Sequence, residues 1–213
     1  MAVTILLVRH GETAWNREKV FRGRHDIPLN DNGRAQASLL AAALAARQID
    51  AAWTSPLARA TETAAIILAP HRVRAAVHEG LTDINYGEWT ELAESMVAQR
   101  WPQEYAQWLA QPETVRPPGG ETLAEVSARA FAAVEDIARR HEGGTVLIVA
   151  HRAVNKVIIL RMLTLGVERF PFIRQDNCCV NEFERTARDY VVVRLNDIGH
   201  LVRGGVEAVA ADF

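Results

Sequence analysis

Two stretches of the chain are almost wholly apolar and stop at the same kind of residue. Ile5-Leu6-Leu7-Val8 ends at Arg9-His10-Gly11, and Thr145-Val146-Leu147-Ile148-Val149-Ala150 ends at His151. Continuous apolar runs of this length predict strands buried on both faces, as in a parallel sheet. Between them the period changes. Leu39, Leu40 and Leu44 recur at helical spacing over residues 34–47, a stretch opened by Asn32-Gly33, and Ala51-Ala52-Trp53-Thr54 follows as a short strand. Ser55-Pro56 then predicts a helix start. Serine can accept from free backbone N–H groups and proline brings its φ already set, which puts Arg59 in the first turn.

Further along, Val73 to Val77 reads as a short strand, and Thr90 to Trp108 as a helix broken near Pro102, which lacks the donor N–H. Arg116-Pro117-Pro118-Gly119-Gly120 is a loop. Thr122 to Arg140 is an amphipathic helix with Leu123, Val126, Ala130, Val134 and Ile137 on one face, ended by Gly143-Gly144. A helix from about Asn155 to Leu163 follows the second apolar run, and Tyr190 to Leu195 alternates as a strand. Strands alternating with helices predict a three-layer α/β/α sandwich with a mainly parallel central sheet. The Pro-Pro-Gly-Gly loop is too short for a linker and apolar periodicity resumes on both sides of it, so residues 1–213 are expected to form a single domain.

Composition narrows the class. The chain has 213 residues, 24 Lys+Arg against 26 Asp+Glu and a formal net charge of -2, which disfavours a disordered chain, a nucleic-acid-coating protein and a membrane-spanning one. Arg9 interrupts the first apolar run too early for a signal peptide or a span, and the only cysteines are the adjacent Cys178 and Cys179. A reducing cytoplasm is the expected setting, without a disulfide scaffold or a cysteine zinc site.

The chemistry gathers at one edge. In an open parallel sheet the carboxyl ends of the strands share a crevice where ligands bind, so His10 and His151 are both expected to face that crevice. Arg9 joins them, and Arg59 stands near a helix N-terminus that favours an anion. Such a cation cluster calls for an anionic ligand, and phosphate accepts bidentate guanidinium hydrogen bonds. A histidine held neutral by neighbouring cations can itself attack phosphorus, without a metal or other cofactor. One carboxyl group could protonate the departing alkoxide and later deprotonate water. Asp83 and Glu88, in the polar stretch Leu81 to Trp89, are both candidates. His25, His71, His78, His141 and His200 end no such strand and have no metal-ligand partner at close spacing, so no metal site is expected.

These residues sit in blocks that resemble the histidine phosphatase superfamily, the phosphoglycerate mutase-like proteins. The blocks are Leu7-Val8-Arg9-His10-Gly11-Glu12-Thr13 with Asn16, then Gly23, Asp26-Ile27-Pro28-Leu29-Asn30, Gly33, Ala35-Gln36-Ala37, Thr54 to Ala60, Pro118-Gly119-Gly120-Glu121 and Val149-Ala150-His151. They run in order through most of the chain. The resemblance implies a phosphoglycerate mutase-like fold and a phosphohistidine at His10. Arg9, Arg59 and His151 would hold the phosphoryl group, with a hydrogen bond from Asn16. Asp83 falls where the family places its proton donor, usually glutamate, with Glu88 the second candidate, and Glu121 would orient residues or contact substrate.

Three departures bear on substrate. Val20 and Arg22 replace a commoner pattern before Gly23, in a segment that faces substrate. Arg152 follows His151 where glycine is commoner, and the chain lacks a longer insertion before Pro118 that accompanies glycolytic mutases. The expectation is a phosphomonoester hydrolase of the small phosphatase branch, acting on a small phosphorylated metabolite, with no nucleic-acid or membrane partner. A cofactor-dependent phosphoglycerate mutase and a non-catalytic phospho-ligand binding protein are the alternatives. Monomer and homodimer both stay open.

Trp101, Tyr105 and Trp108 share a helical face, for core packing or as the wall of a leaving-group pocket.

Overall fold

The computed structural model describes residues 2–207. Six strands form one sheet in the order β3-β2-β4-β1-β5-β6. Strands β1 (Val3–Arg9), β2 (Ala51–Thr54), β3 (Ala75–Val77) and β4 (Thr145–Ala150) run parallel; β5 (Val180–Arg185) and β6 (Tyr190–Asp197) close one side antiparallel. The mainly parallel sheet is thus observed, with an antiparallel flank that the hydrophobic pattern did not disclose.

The two apolar runs build the three layers directly. Successive strand residues point to opposite faces. Ile5 and Leu7 of β1, with Val146 and Ile148 of β4, pack in one cluster against α6 (Leu123–Arg140) and α7 (Arg152–Met162), through Val134, Ile137 and Val157. Leu6, Val8, Leu147 and Val149 pack in the other, against α2 (Asp31–Leu44) and α3 (Ala58–Leu68), through Leu40, Ala64 and Ile67. Each of the large aliphatics so enclosed contributes about 1.5–3 kcal/mol. The central strands are thereby fixed, and with them the residues at their carboxyl ends.

Three helix starts differ from expectation, each for a local reason. Helix α2 begins at Asp31, because the Asn30 side chain accepts from Gly33 N at 2.8 Å and so caps it. Gly33 therefore lies within the first turn, where a Cβ would stand 2.2 Å from the Glu12 carbonyl oxygen; only glycine allows this approach to the segment after His10. Helix α3 begins at Ala58, whose N–H is met by Asp26 Oδ1 at 2.6 Å, leaving Ser55-Pro56 outside it. Helix α7 begins at Arg152, since the extended backbone of His151 passes straight from strand to helix.

The remaining helices are α1 (Ala14–Glu18), α4 (Glu94–Arg100), α5 (Pro102–Ala110) and α8 (Gly199–Gly204). The break at Pro102 is where the sequence puts it. Trp108 is buried against Tyr86, Trp89 and Phe170, with Tyr105 and Trp101 packed on the same core. Among the described residues, no helix is long and apolar enough to cross a membrane.

Candidate active site

Register brings the two histidines together. Arg9 of β1 pairs with Ala150 of β4, so the next residue on each strand, His10 and His151, emerges at the same level of the sheet edge. Their rings lie 5.2 Å apart between centroids, tilted at 60°, and both side chains are buried.

The His10 ring is fixed by its own backbone. Nδ1 stands 2.7 Å from the Gly11 carbonyl oxygen. A carbonyl only accepts, so Nδ1 carries the proton and Nε2 keeps its lone pair. The His10 carbonyl in turn accepts from Asn177 Nδ2 at 3.1 Å, and Gly11 N donates to Thr63 Oγ1 at 3.0 Å. Burial lowers the His10 pKa well below the ordinary histidine value, and Arg59, His151, Arg9 and Arg22 lower it further. His151 is lowered likewise, first by burial and then by Arg59 and Arg22. Both imidazoles are neutral at pH 7.

Arg59 is fully buried. It donates to the Gly23 carbonyl at 2.8 Å, to the His25 carbonyl at 2.9 Å and to Asp83 Oδ2 at 3.0 Å. Asp83 Oδ2 also lies 3.6 Å from His151 Nδ1, while Oδ1 accepts from Ile84 N at 2.9 Å. The carboxylate therefore sits between the guanidinium and the second imidazole. Arg9 donates to the Gln175 carbonyl at 2.6 Å, and Arg22 and Gly23 line the crevice with His10 and Asp83. Gly23 has φ +51, a left-handed conformation that glycine takes without strain, and it lets the backbone present its carbonyl to Arg59.

Three other expected residues are engaged in contacts of their own. Asn16 is buried, but its Oδ1 accepts from Thr13 N at 2.8 Å and from the Thr13 hydroxyl at 3.0 Å, completing the cap of α1. Glu121 accepts from Asn85 N at 2.9 Å and is paired with Arg129 at 2.8 Å, and Arg129 holds the Thr82 and Asp83 carbonyls. Its position is that of a brace for the loop carrying Asp83. Glu88 is exposed and is not among the residues lining the crevice.

The sequence reading missed Ser55 as a site residue. Its Oγ lies 2.7 Å from His151 Nε2, an unforeseen contact because a Ser-Pro pair reads as a helix start. Asn177 and Tyr86 were also missed; their chain neighbours carry no pattern tied to either histidine. Among the described residues, no group of three or more His, Cys, Asp or Glu side chains could share a metal ion.

Neutral imidazole, fixed guanidiniums and a carboxyl group around one crevice can take a phosphoryl group from an ester onto nitrogen. Comparison with known proteins agrees. Residues 5–198 match the model of the histidine phosphatase superfamily (branch 1), and the chain belongs to that family. It is a phosphatase of the histidine phosphatase type.

Phosphoserine phosphatase 1 of Hydrogenobacter thermophilus is 30% identical over 206 residues, covering 97% of this chain and 98% of that one. Among solved structures, YhfR of Bacillus stearothermophilus superposes with a TM-score of 0.90 at 32% identity, over 93% of this chain and 99% of its own. A phosphoserine phosphatase mutant from Entamoeba histolytica, in complex with phosphoserine, superposes with a TM-score of 0.83 at 26% identity, over 93% and 99% of the two chains.

Proposed function

We propose that His10 Nε2 is the nucleophile of a phosphomonoester hydrolase and that Asp83 moves the protons. Nε2 attacks phosphorus, the P–O ester bond breaks, and the leaving oxygen takes a proton from the Asp83 carboxyl group. Water then attacks the phosphohistidine, giving its proton to Asp83, and the P–N bond breaks to release inorganic phosphate and His10. Arg9, Arg59 and His151 hold the phosphoryl oxygens through both steps, and Ser55 orients His151. Arg22 and Gly23 shape the entrance, Asn16 supports the turn after His10, and Glu121 braces the acid loop. The positive charge that a bound cation supplies elsewhere comes here from guanidiniums, so the reaction needs no metal.

The hydrogen bond from His10 Nδ1 to the Gly11 carbonyl is the observation that carries this reading, because it leaves the lone pair on Nε2. A single domain in a reducing cytoplasm, as monomer or homodimer, fits the two buried free thiols Cys178 and Cys179. The test is turnover of phenyl phosphate by the purified chain in excess chelator. Activity is expected for the native sequence and its loss for His10→Ala; full activity in that variant, or none in the native protein without added metal, contradicts the proposal.

A further inference from the structure

Glycine follows His10 because nothing larger fits: a Cβ on Gly11 would stand 2.6 Å from the Gly33 carbonyl oxygen. Glycine also brings the most backbone freedom of any residue, here at the position whose carbonyl must hold the His10 ring. Three buried side chains, Thr63, Asn177 and Gln36, supply the restraint that the missing Cβ does not. The peptide between His10 and Gly11 is gripped at both ends. Its N–H donates to Thr63 Oγ1 at 3.0 Å and its C=O accepts from Asn177 Nδ2 at 3.1 Å. In the next peptide, the Glu12 N–H donates to Gln36 Oε1 at 3.0 Å while the Gly11 carbonyl accepts from His10 Nδ1. Peptide groups are planar, so holding their ends fixes the torsions between them.

Thr63 makes a link of its own. Its hydroxyl proton goes to the Arg59 carbonyl at 2.7 Å, one turn earlier on α3, which leaves an oxygen lone pair for the Gly11 N–H. A threonine hydroxyl bonded to the carbonyl four residues back is common in helices and by itself says nothing of function. The bond accepted from Gly11, 52 residues away along the chain, sets this one apart. It joins the segment that carries the His10 ring to the helix that carries Arg59. Without the hydroxyl, the N–H of the buried Gly11 loses its partner, and an orphaned buried donor is more costly than an absent bond. The peptide then turns toward another acceptor, the φ of Gly11 changes with it, and the Gly11 carbonyl leaves Nδ1. A ring so released populates both neutral tautomers, and the one protonated on Nε2 has no lone pair there.

Building on the phosphohistidine reading above, we propose that Thr63 is a positioning residue for His10. Its hydroxyl, opposed by the Asn177 amide, holds the His10–Gly11 peptide so that the Gly11 carbonyl keeps the proton on Nδ1 and the lone pair on Nε2. Thr63 acts through the Gly11 backbone and not on the substrate. It decides which nitrogen can attack, and it ties that nitrogen to the helix whose guanidinium holds the phosphoryl group.

The test compares Thr63→Val, which keeps the shape and loses the hydroxyl, with Thr63→Ser, which keeps the hydroxyl. With phenyl phosphate in excess chelator, Thr63→Val should lower kcat about 5- to 100-fold, the effect of leaving one buried donor unpaired, with KM near the native value. Thr63→Ser should recover most of that loss. Nitrogen NMR of the isotope-labelled His10 ring reads the cause. The native ring and that of Thr63→Ser are expected as one neutral tautomer with the proton on Nδ1, and that of Thr63→Val as a mixture of both tautomers. A native kcat in Thr63→Val, a Thr63→Ser as slow as Thr63→Val, or an unmixed tautomer in Thr63→Val overturns the proposal. Should Thr63→Val fail to fold, Asn177→Ala frees the other end of the same peptide. It is expected to mix the tautomers, and a ring still protonated on Nδ1 alone overturns the proposal. The tautomer is read without turnover. A native protein that does not hydrolyse phenyl phosphate therefore faults the phosphatase reading, while the NMR comparison still decides the role of Thr63.

Discussion

The Oγ of Ser55 stands 2.7 Å from Nε2 of His151, and through it the end of β2 fixes the imidazole at the end of β4. Because His151 has its other nitrogen near Asp83, the serine decides how the ring is turned toward the crevice. Ser55→Ala removes one hydrogen bond without opening a large void. We expect kcat toward phenyl phosphate to fall about 2- to 10-fold, the net worth of such a bond, with the fold intact by circular dichroism. An unchanged kcat would show that His151 is oriented by other contacts.

The lowered pKa values of His10 and His151 make a claim about stability. Each histidine is neutral when folded at pH values where its unfolded counterpart, titrating near 6.5, takes up a proton. The unfolded state then binds more protons, so stability rises with pH in that window and is lost as pH falls below about 6.5 toward the lowered folded values. The expected slope is up to about 1.4 kcal/mol per pH unit for each group. Urea unfolding at pH 7 and pH 5.5 measures it, and His10→Gln should remove the His10 contribution while those of His151 and of His200, whose pKa burial also lowers, remain. Equal slopes in native and variant would contradict the neutral state of His10.

Asp83 and Glu88 make opposite demands on mutagenesis. Asp83 lies beside Arg59 and His151, whereas Glu88 is exposed on a short turn. Asp83→Asn should cost about 10²- to 10⁴-fold in kcat on an alkyl phosphate, whose alkoxide needs a proton, and much less on 4-nitrophenyl phosphate, whose leaving group does not. A larger loss on the alkyl ester from Glu88→Gln than from Asp83→Asn would transfer the role to Glu88.

The centre of this molecule could be read in advance because one physical signal controls it. Strands buried on both faces, β1 and β4, show as apolar runs, and the residue after each run marks the crevice. That signal reached His10, His151, Arg9 and, with the helix after β2, Arg59. It did not reach β5. There Asn181 and Glu182 are buried yet polar, satisfied by the Leu7 carbonyl and by Arg47 and Arg194, so the strand carries no apolar run.

Helix starts were misplaced for a related reason. Asn30 caps α2 through its own side chain, but Asp26 meets the first N–H of α3 from far along the chain, which no local pattern records. Ser55, Asn177 and Tyr86 likewise owe their importance to partners distant in sequence. Resemblance to a family supplied the order of the blocks, and register supplied the distances.

The account stands on covalent phosphorylation of one nitrogen. Rapid acid-free quenching of the protein mixed with phenyl phosphate, followed by mass spectrometry of peptides kept at alkaline pH, tests it directly. The prediction is a single acid-labile phosphoryl group on His10, which accumulates further in Asp83→Asn as hydrolysis of the intermediate slows, and is absent in His10→Ala. Phosphate released at the native rate with no labelled histidine, or a label on His151 in place of His10, would contradict it.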